Sequence, residues 1–374
     1  MKVLFAGGGT AGHINPALAI AGYLREQQPD AQILYVGAKG GMEERLVPEA
    51  GFPFQSITIS GFQRRLTVKA MARNVKTLVR IVTSSVESKR ILREFAPDLC
   101  IGTGGYVSGP VIREAVKLGI PTLIHEQNAY PGVTNKVLSG KVNHVMLAVE
   151  DSKKYMASGA KCSVTGNPVR QEILRTDRER ARRALGLDER PVILSFGGSL
   201  GARSINEAVV ELLLSSAKNQ KFQHIHGYGQ NGGWLPSLLQ EKGLDEKKAK
   251  NIQLKEYIRN MPDCMAAADL VICRAGAITL SELQAQGKAS ILIPSPNVAE
   301  NHQYHNAMAL VRRKAAMLLE EKNLSGEALL STVEKIFSSA GGVTELSKNA
   351  KKMAFLDASE RIYKIMLETL HTTE

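Results

Sequence analysis

The sequence predicts an α/β protein built as two parallel-sheet domains in tandem, and three observations carry that prediction. Short apolar runs alternate with helix-period patterns along all 374 residues, the order expected of parallel sheets with helices on both faces. Each half opens with an apolar run that enters a glycine turn and then a helix: "FAGGGTAGHINP" at the start and "ILSFGGSLGARSIN" past the middle. Between them Gly166, Asn167 and Pro168 interrupt the pattern. A chain of this length also exceeds what one core usually serves. The predicted division is residues 1–163 and 164–353, both Rossmann-like, with a helix over about 354–374 crossing back onto the first domain.

Taken in order, strands are expected near 2–6, 31–36, 55–59, 98–102, 121–125 and 143–147 in the first half. In the second they are expected near 191–196, 222–226, 251–254, 269–273, 290–293 and 316–319. The run Lys2 to Ala6 has the β-branched and aromatic members of a buried parallel strand. Asn15 and Pro16 read as N-cap and first helical position, and Leu18, Ile20, Ala21 and Leu24 as the buried stripe that follows. Gly7, Gly9 and Gly12 complete a G-x-G-x-x-G. With a strand before it and a helix after it, that turn can hold a diphosphate on free amides and the helix dipole. A nicotinamide enzyme would also need an acid at the end of the second strand for the ribose diol. Here that strand ends in Gly37-Ala38-Lys39, and Asp30 lies at its wrong end. The phosphate reading stands and the dinucleotide reading weakens.

Composition narrows the class. Hydrophobic content of 44% with 22% charged residues is that of a soluble globular protein. No apolar run approaches the roughly 18 residues of a membrane span, and the N-terminus enters a strand directly, so secretion is not expected. The four cysteines form no C-x-x-C, which reads as reduced thiols of a cytosolic protein. The net charge of +12 is uneven: residues 1–163 hold 20 Lys+Arg against 12 Asp+Glu, the remainder 28 against 24.

Part of that excess sits in residues 64–86, where Arg64, Arg65, Lys69, Arg73, Lys76 and Arg80 occur without one acid. Positions 69, 73, 76 and 80 share a helical face, and Val68, Met71, Val75, Leu78, Val82 and Val86 share another. A surface helix packing its apolar stripe inward explains the periodicity. It does not explain six uncompensated cations, which an anionic membrane would attract by about 1 kcal/mol each. Nucleic acid would attract them too, but aromatics able to stack on bases are sparse, with Phe62 the one close by.

Four motifs carry the chemistry. His13 stands at the mouth of the first helix, as a base, a phosphate donor or a packing histidine. "IGTGGYVSGP", residues 101–110, is a plain turn or the second half of a diphosphate cradle. "IHEQNAYPGVTNK", residues 124–136, puts His125, Glu126, Gln127 and Asn128 at the carboxyl edge of a strand, where open α/β sheets bind ligands. In the second half, "ADLVICRAGAITLSELQAQGKASILIP" is followed by "ENHQYHNA". A helix starting near Thr279 would give a Thr279-x-x-Glu282 capping box, or Glu282 would accept both hydrogens of a ribose diol. His302 and Gln303 can bond sugar hydroxyls. His302 and His305, at i and i+3, read as a metal pair or as satisfied polar residues.

The ordered set "GGGTAGH", "TGGYVSGP", "HEQNAYPG", "GNPVR", "GGSLGAR", "CRAGAITLSEL" and "HQYHNA" resembles the bacterial MurG-type glycosyltransferases, over residues 2 to about 365. The resemblance implies the GT-B arrangement, two Rossmann-like domains facing across a cleft. It implies transfer, with inversion, of N-acetylglucosamine from UDP-GlcNAc to the C4 hydroxyl of the muramyl residue of undecaprenyl-diphospho-MurNAc-pentapeptide. That step converts lipid I to lipid II in peptidoglycan synthesis. On this pattern the donor is held mainly by the C-terminal half: Glu282 on the ribose diol, the Ile258 backbone on uracil, Ser199 and Arg170 on the phosphates, Gln303 on the sugar. Thr10, Ala11, Gly12 and Asn128 are the first-half positions assigned to the donor. The acceptor diphosphate falls to His13, Gly104, Gly105 and Tyr106. His13 and Glu126 are the implied catalytic residues, His13 leading as base with Glu126 and His125 competing. Many members have Gln-Gln where this chain has His302-Gln303, which leaves His302 without a secure role.

No cofactor is obligatory on this reading, and the sequence has no D-x-D with which other sugar transferases hold a metal–nucleotide complex. The implied partners are UDP-GlcNAc, lipid I, an anionic membrane surface and other cell-wall synthesis proteins, with no nucleic acid. The implied place is the cytoplasmic face of the plasma membrane, held peripherally. A transferase acting on another lipid such as diacylglycerol, or a UDP-sugar epimerase, would share much of the pattern.

Overall fold

The computed structural model describes residues 1–59, 83–245 and 248–372. It opens with β1 (Lys2–Gly7), α1 (Ala11–Gln27), β2 (Gln32–Ala38), α2 (Glu43–Glu49) and β3 (Phe54–Ile57). A helix α3 covers residues 83–95. Then come β4 (Leu99–Gly104), α4 (Gly105–Lys117), β5 (Thr122–Glu126), α5 (Val133–Leu138), β6 (His144–Leu147) and β7 (Cys162–Val164). The next stretch holds α6 (Gln171–Arg175), α7 (Arg178–Ala184), β8 (Val192–Phe196), α8 (Arg203–Asn219), β9 (Gln223–Gly227) and α9 (Leu235–Glu241). It continues with β10 (Ile252–Lys255), α10 (Met261–Ala267), β11 (Leu270–Cys273), α11 (Ala277–Gln286) and β12 (Ala289–Leu292). The chain closes with α12 (His302–Val311), β13 (Met317–Leu318), α13 (Gly326–Ser338), α14 (Gly342–Lys352) and α15 (Ala358–His371).

Two compact units result: Met1–Pro168 with Asp357–Glu374, and Val169–Leu356. In the first, seven parallel strands run in the order β3-β2-β1-β4-β5-β6-β7. Alternate residues of each strand feed opposite faces. Val3, Phe5, Leu99 and Ile101 pack under α1 and α15, whose Ile362, Ile365 and Met366 join the same core. Leu4, Cys100 and Ile124 pack under Ile91 and Leu92 of α3 and Val107, Val111 and Ile112 of α4. The strand order reverses between β1 and β4, and the glycine-rich ends of both strands lie there, where such sheets bind ligands.

The second unit has six parallel strands in the order β10-β9-β8-β11-β12-β13, reversing between β8 and β11. Its core joins Ile193, Leu270, Ile272 and Ile291 to Ile205, Val209 and Leu212 of α8 and Leu329 and Val333 of α13. His224 and His226 of β9 are wholly buried in this unit. The Ser195 hydroxyl lies 2.7 Å from a ring nitrogen of each. Burial lowers both rings' pKa, His226 to about 4.

Several expectations need correction. The first helix begins at Ala11, not at Asn15-Pro16, and Pro16 lies inside it. The chain has already turned at Gly7–Gly9, so the first helical bond closes on the Thr10 carbonyl, from Ile14 N at 3.2 Å. Helix α11 begins at Ala277 behind Gly276, with no side-chain cap, so Thr279 and Glu282 form no capping box. The helix expected over about 354–374 is α15, which joins the first unit as expected, and α14 before it belongs to the second. The units divide at Pro168/Val169 and Leu356/Asp357, a few residues beyond the expected boundaries, because the unforeseen edge strand β7 still pairs with β6. The basic positions Arg64, Arg65, Lys69, Arg73, Lys76 and Arg80 lie outside the described residues. No described helix is long and apolar enough to cross a membrane.

Candidate active site

At the head of the first unit, β1 and β4 bring the two glycine turns together. His13 is the third residue of α1 and partly exposed. Its Nδ1 lies 3.0 Å from the Thr103 carbonyl and 3.2 Å from Gln127 Oε1, and Thr103 Oγ1 donates to the His13 carbonyl at 2.8 Å. Gly104 and Gly105 have φ of +100° and +76°; a Cβ on Gly105 would stand 2.2 Å from the Gly8 carbonyl and 3.3 Å from the His13 ring. No other residue fits there. The Tyr106 ring lies against Gly9, whose added Cβ would meet it at 2.8 Å. Burial and the nearby Glu43 raise the Tyr106 phenol's pKa. The four predicted acceptor residues, His13, Gly104, Gly105 and Tyr106, therefore come together. Thr10, Ala11 and Gly12 are exposed at the adjoining helix mouth.

The sequence reading missed Glu43. It is wholly buried, and its carboxylate accepts from Ala38 N at 2.9 Å and Gly9 N at 3.2 Å. The absent side chains of Gly8 and Gly37 make its room: a Cβ on either would come within 2.1 and 2.4 Å of it. A protein carboxylate thus takes one amide of the first glycine turn from behind, leaving the mouth of α1 as the outward anion-facing surface.

His125 and Glu126, expected at the ligand edge, are buried. His125 Nε2 lies 3.0 Å from the Gly166 carbonyl, and burial lowers its pKa to about 4, so it is neutral and enclosed. That removes it from the competition for the base. Glu126 Oε1 accepts from Asn128 N and Nδ2 at 2.9 and 3.1 Å, and Oε2 from Gly132 N and Asn135 Nδ2 at 3.1 and 2.9 Å. Four donors on one buried carboxylate tie the 126–135 loop down. Asn128 is half-buried beside it.

In the second unit an open pocket of about 410 Å³ lies at the switch point between β8 and β11. Gly197, Gly201 and Ser204 line it at the mouth of α8, with Arg274, Ser295, Gln303 and Glu321 opposite. Arg274, following β11, and Arg203 at the start of α8 are its cations. Arg274 donates to the Ile293 and Pro294 carbonyls at 3.2 and 3.3 Å and to Ser204 Oγ at 3.2 Å, and pairs with Glu321 at 2.5 Å. Gln303 Oε1 accepts from Ser295 N at 2.9 Å. Glu300 and Asn301, just before α12, are left-handed at φ 53° and 48°. Such strain costs on the order of 1–3 kcal/mol per residue and concentrates at functional loops.

Four more of the predicted donor residues, Glu282, Arg170, Ser199 and Ile258, lie in this unit, whereas Thr10, Ala11, Gly12 and Asn128 lie in the first. Glu282 is buried in the second turn of α11, and its Oε1 accepts from Arg170 Nε at 2.7 Å. Burial raises the Glu282 pKa and Arg170 opposes that rise. Ser199 is exposed in the glycine turn, where its carbonyl accepts from Gln230 N. Ile258 is buried just after β10. The His302 ring is engaged by the Ala299 carbonyl at 2.8 Å. Arg274, Glu321 and Ser204 were not foreseen, although Arg274 was visible as the cation ending a strand beside the small-residue turn.

Two doubly wound sheets with a glycine turn and a helix mouth at each switch point make the GT-B class of fold, the fold of glycosyltransferases that use nucleotide sugars. Glycosyltransferase family 28 models match both halves, the N-terminal domain over residues 3–147 and the C-terminal domain over 192–362. The chain is 44% identical over 371 residues to the UDP-N-acetylglucosamine–N-acetylmuramyl-(pentapeptide) pyrophosphoryl-undecaprenol N-acetylglucosamine transferase of Acetivibrio thermocellus, covering 99% of this chain and 98% of that protein. It is 42% identical to the Bacillus cytotoxicus protein of the same name, covering 99% and 100%. The crystal structure of Acinetobacter baumannii MurG superposes with a TM-score of 0.76 at 28% identity, covering 98% of this chain and 99% of that one. A UDP-GlcNAc 2-epimerase from Neisseria meningitidis shares the fold, with a TM-score of 0.65 at 15% identity over 98% and 100% of the two chains. The chain belongs to glycosyltransferase family 28, and within it to the MurG family.

Proposed function

We propose that this enzyme transfers N-acetylglucosamine from UDP-GlcNAc to the muramyl C4 hydroxyl of undecaprenyl-diphospho-MurNAc-pentapeptide, converting lipid I to lipid II. The relatives' names supply the substrates, and His13 is the observation that carries the chemistry. Both neighbours of its Nδ1 are acceptors, so Nδ1 carries a hydrogen, and in the neutral ring the lone pair is on Nε2 at the mouth of α1. That nitrogen takes the proton from the acceptor hydroxyl as the oxygen attacks the anomeric carbon. The configuration inverts because the attack is a single displacement. Glu126, saturated by four donors, positions the loop that carries Asn128.

The donor belongs to the second unit. The mouth of α8 and Arg170 meet the departing diphosphate charge, Gln303 contacts the sugar, and the free oxygen of Glu282 takes the ribose diol. Arg274 holds the pocket wall between strand ends. No metal is required on this account. The acceptor diphosphate lies over Gly104, Gly105 and Tyr106 at the mouth of α1. The basic segment holds the enzyme on the anionic cytoplasmic leaflet, where the acceptor is anchored and other cell-wall synthesis proteins work.

The test pairs binding with turnover. UDP-GlcNAc should raise the melting temperature more than UDP-GalNAc or UDP-glucose does. Full activity should require a short-chain lipid I acceptor. Conversion of UDP-GlcNAc to an epimer without acceptor would favour the epimerase reading instead.

A further inference from the structure

We propose that Gln127 is a positioning residue that holds the His13 ring in its Nδ1–H tautomer, through a hydrogen-bond chain whose polarity is set by three backbone carbonyls. The proposal rests on His13 being the base, and it accounts for how that base is kept ready. Gln127 is 2% exposed and has no access to substrate. Its Nε2 lies 2.9 Å from the His125 carbonyl and 3.1 Å from His125 Nδ1; its Oε1 lies 3.2 Å from His13 Nδ1.

An amide can be turned end for end, so its direction has to be argued. Here it is fixed at both ends. The His125 carbonyl has no hydrogen to give, so the amide end facing it at 2.9 Å must be the NH₂. The Thr103 carbonyl faces His13 Nδ1 at 3.0 Å, so that nitrogen must carry hydrogen and the amide end facing it must be the oxygen. The third carbonyl, of Gly166, faces His125 Nε2 at 3.0 Å and places the His125 hydrogen there. His125 Nδ1 is then the acceptor that the Gln127 NH₂ needs. His125 stays neutral because burial lowers its pKa to about 4, so it carries that single hydrogen throughout. Reversing the amide would set oxygen against oxygen at one end and hydrogen against hydrogen at the other.

Which ring nitrogen of a histidine is free is decided by what the other one bonds. Two acceptors converge on His13 Nδ1, one a backbone carbonyl and one Gln127. The second acceptor stops the ring from turning about its own axis and losing the Nε2 lone pair to the wrong side. Asn167 Nδ2 donates to the Gln127 carbonyl at 3.2 Å, anchoring the residue from the backbone side as well.

The direct readout is the long-range proton–nitrogen spectrum of the imidazole-labelled full-length protein. His13 should show a protonated Nδ1 and an unprotonated Nε2; a proton on Nε2 in the wild type overturns the proposal, with or without any activity. Gln127→Leu should shift His13 to a mixture of tautomers and lower kcat about tenfold, the effect of one hydrogen bond. The KM for UDP-GlcNAc should stay within twofold. A wild-type spectrum and kcat in that variant would also overturn the proposal. Should Gln127→Leu not fold, the wild-type spectrum decides the proposal by itself. Unchanged turnover in His13→Ala would remove the base assignment, while the wild-type spectrum would still decide the tautomer.

Discussion

Arg274 offers the most direct measurement of what holds the donor pocket. Its side chain is 17% exposed and that of Glu321 is 25%, so their 2.5 Å contact is neither a surface ion pair nor a fully enclosed one. Exposed pairs are worth about 0.2–1 kcal/mol, whereas removing one partner of a buried pair costs about 3–5 kcal/mol. Arg274 also satisfies two carbonyls and Ser204 Oγ. Arg274→Met should therefore destabilise the second unit by about 2–3 kcal/mol, much of it from a Glu321 left without its cation. Glu321→Gln should cost about 1–2 kcal/mol, and the double variant about 1–2 kcal/mol less than the sum of the two. The assay is urea unfolding followed by tryptophan fluorescence. The chain has one tryptophan, Trp234, and it lies in the second unit, so the signal reads that unit. The same variant should raise the KM for UDP-GlcNAc about tenfold, as the pocket wall loosens. Strict additivity of the two substitutions would refute the reasoning, because it would mean the contact carries no energy.

Two further outcomes are expected. An unfolded histidine binds its proton near pH 6.5, whereas His125 and His226 do so only near 4 in the fold. Between those values the unfolded chain holds more protons, so stability falls as pH drops, by about 1.4 kcal/mol per pH unit for each such ring. In the second unit, which the tryptophan reports, the two lowered rings are His224 and His226, so tryptophan-detected unfolding should weaken by about 2 kcal/mol between pH 6.5 and 5.5. A flat profile would mean that neither ring is enclosed. Charge reversal of Arg73, Lys76 and Arg80 together should move the enzyme from membranes to the soluble fraction and spare activity on a short-chain acceptor. Loss of that activity would place the three cations in the active site.

Much of the architecture was legible because parallel strands buried on both faces leave short apolar runs bounded by turn residues. The runs near 2–6 and 269–273 became β1 and β11 within a residue or two. Strand β7 was not legible, since three half-buried residues at a sheet edge carry no hydrophobic pattern. Pro16 misled because proline is commonest at helix starts, while here Gly7–Gly9 had already placed the start five residues earlier. At the site, residue types were readable and accessibility was not. The "HEQN" motif names four polar groups at a strand edge, but whether each faces ligand or core depends on partners. For Glu126 those partners are local, Asn128, Gly132 and Asn135, and the sequence shows them only to a reader who already knows the loop curls back. Glu43 is harder still. Its amide partners at Ala38 and Gly9 belong to the end of β2 and to a loop some thirty residues away.

Helix α15 has a consequence for how the protein is made. Ile362, Ile365 and Met366 complete the core begun by Val3, Phe5 and Ile14, and Gln28 Nε2 donates to the Tyr363 hydroxyl at 2.9 Å. A chain leaving the ribosome therefore supplies the whole of residues 169–356 before it delivers the last wall of the unit it started with. The half synthesised first is the half finished last, and until α15 arrives its sheet keeps an uncovered apolar strip.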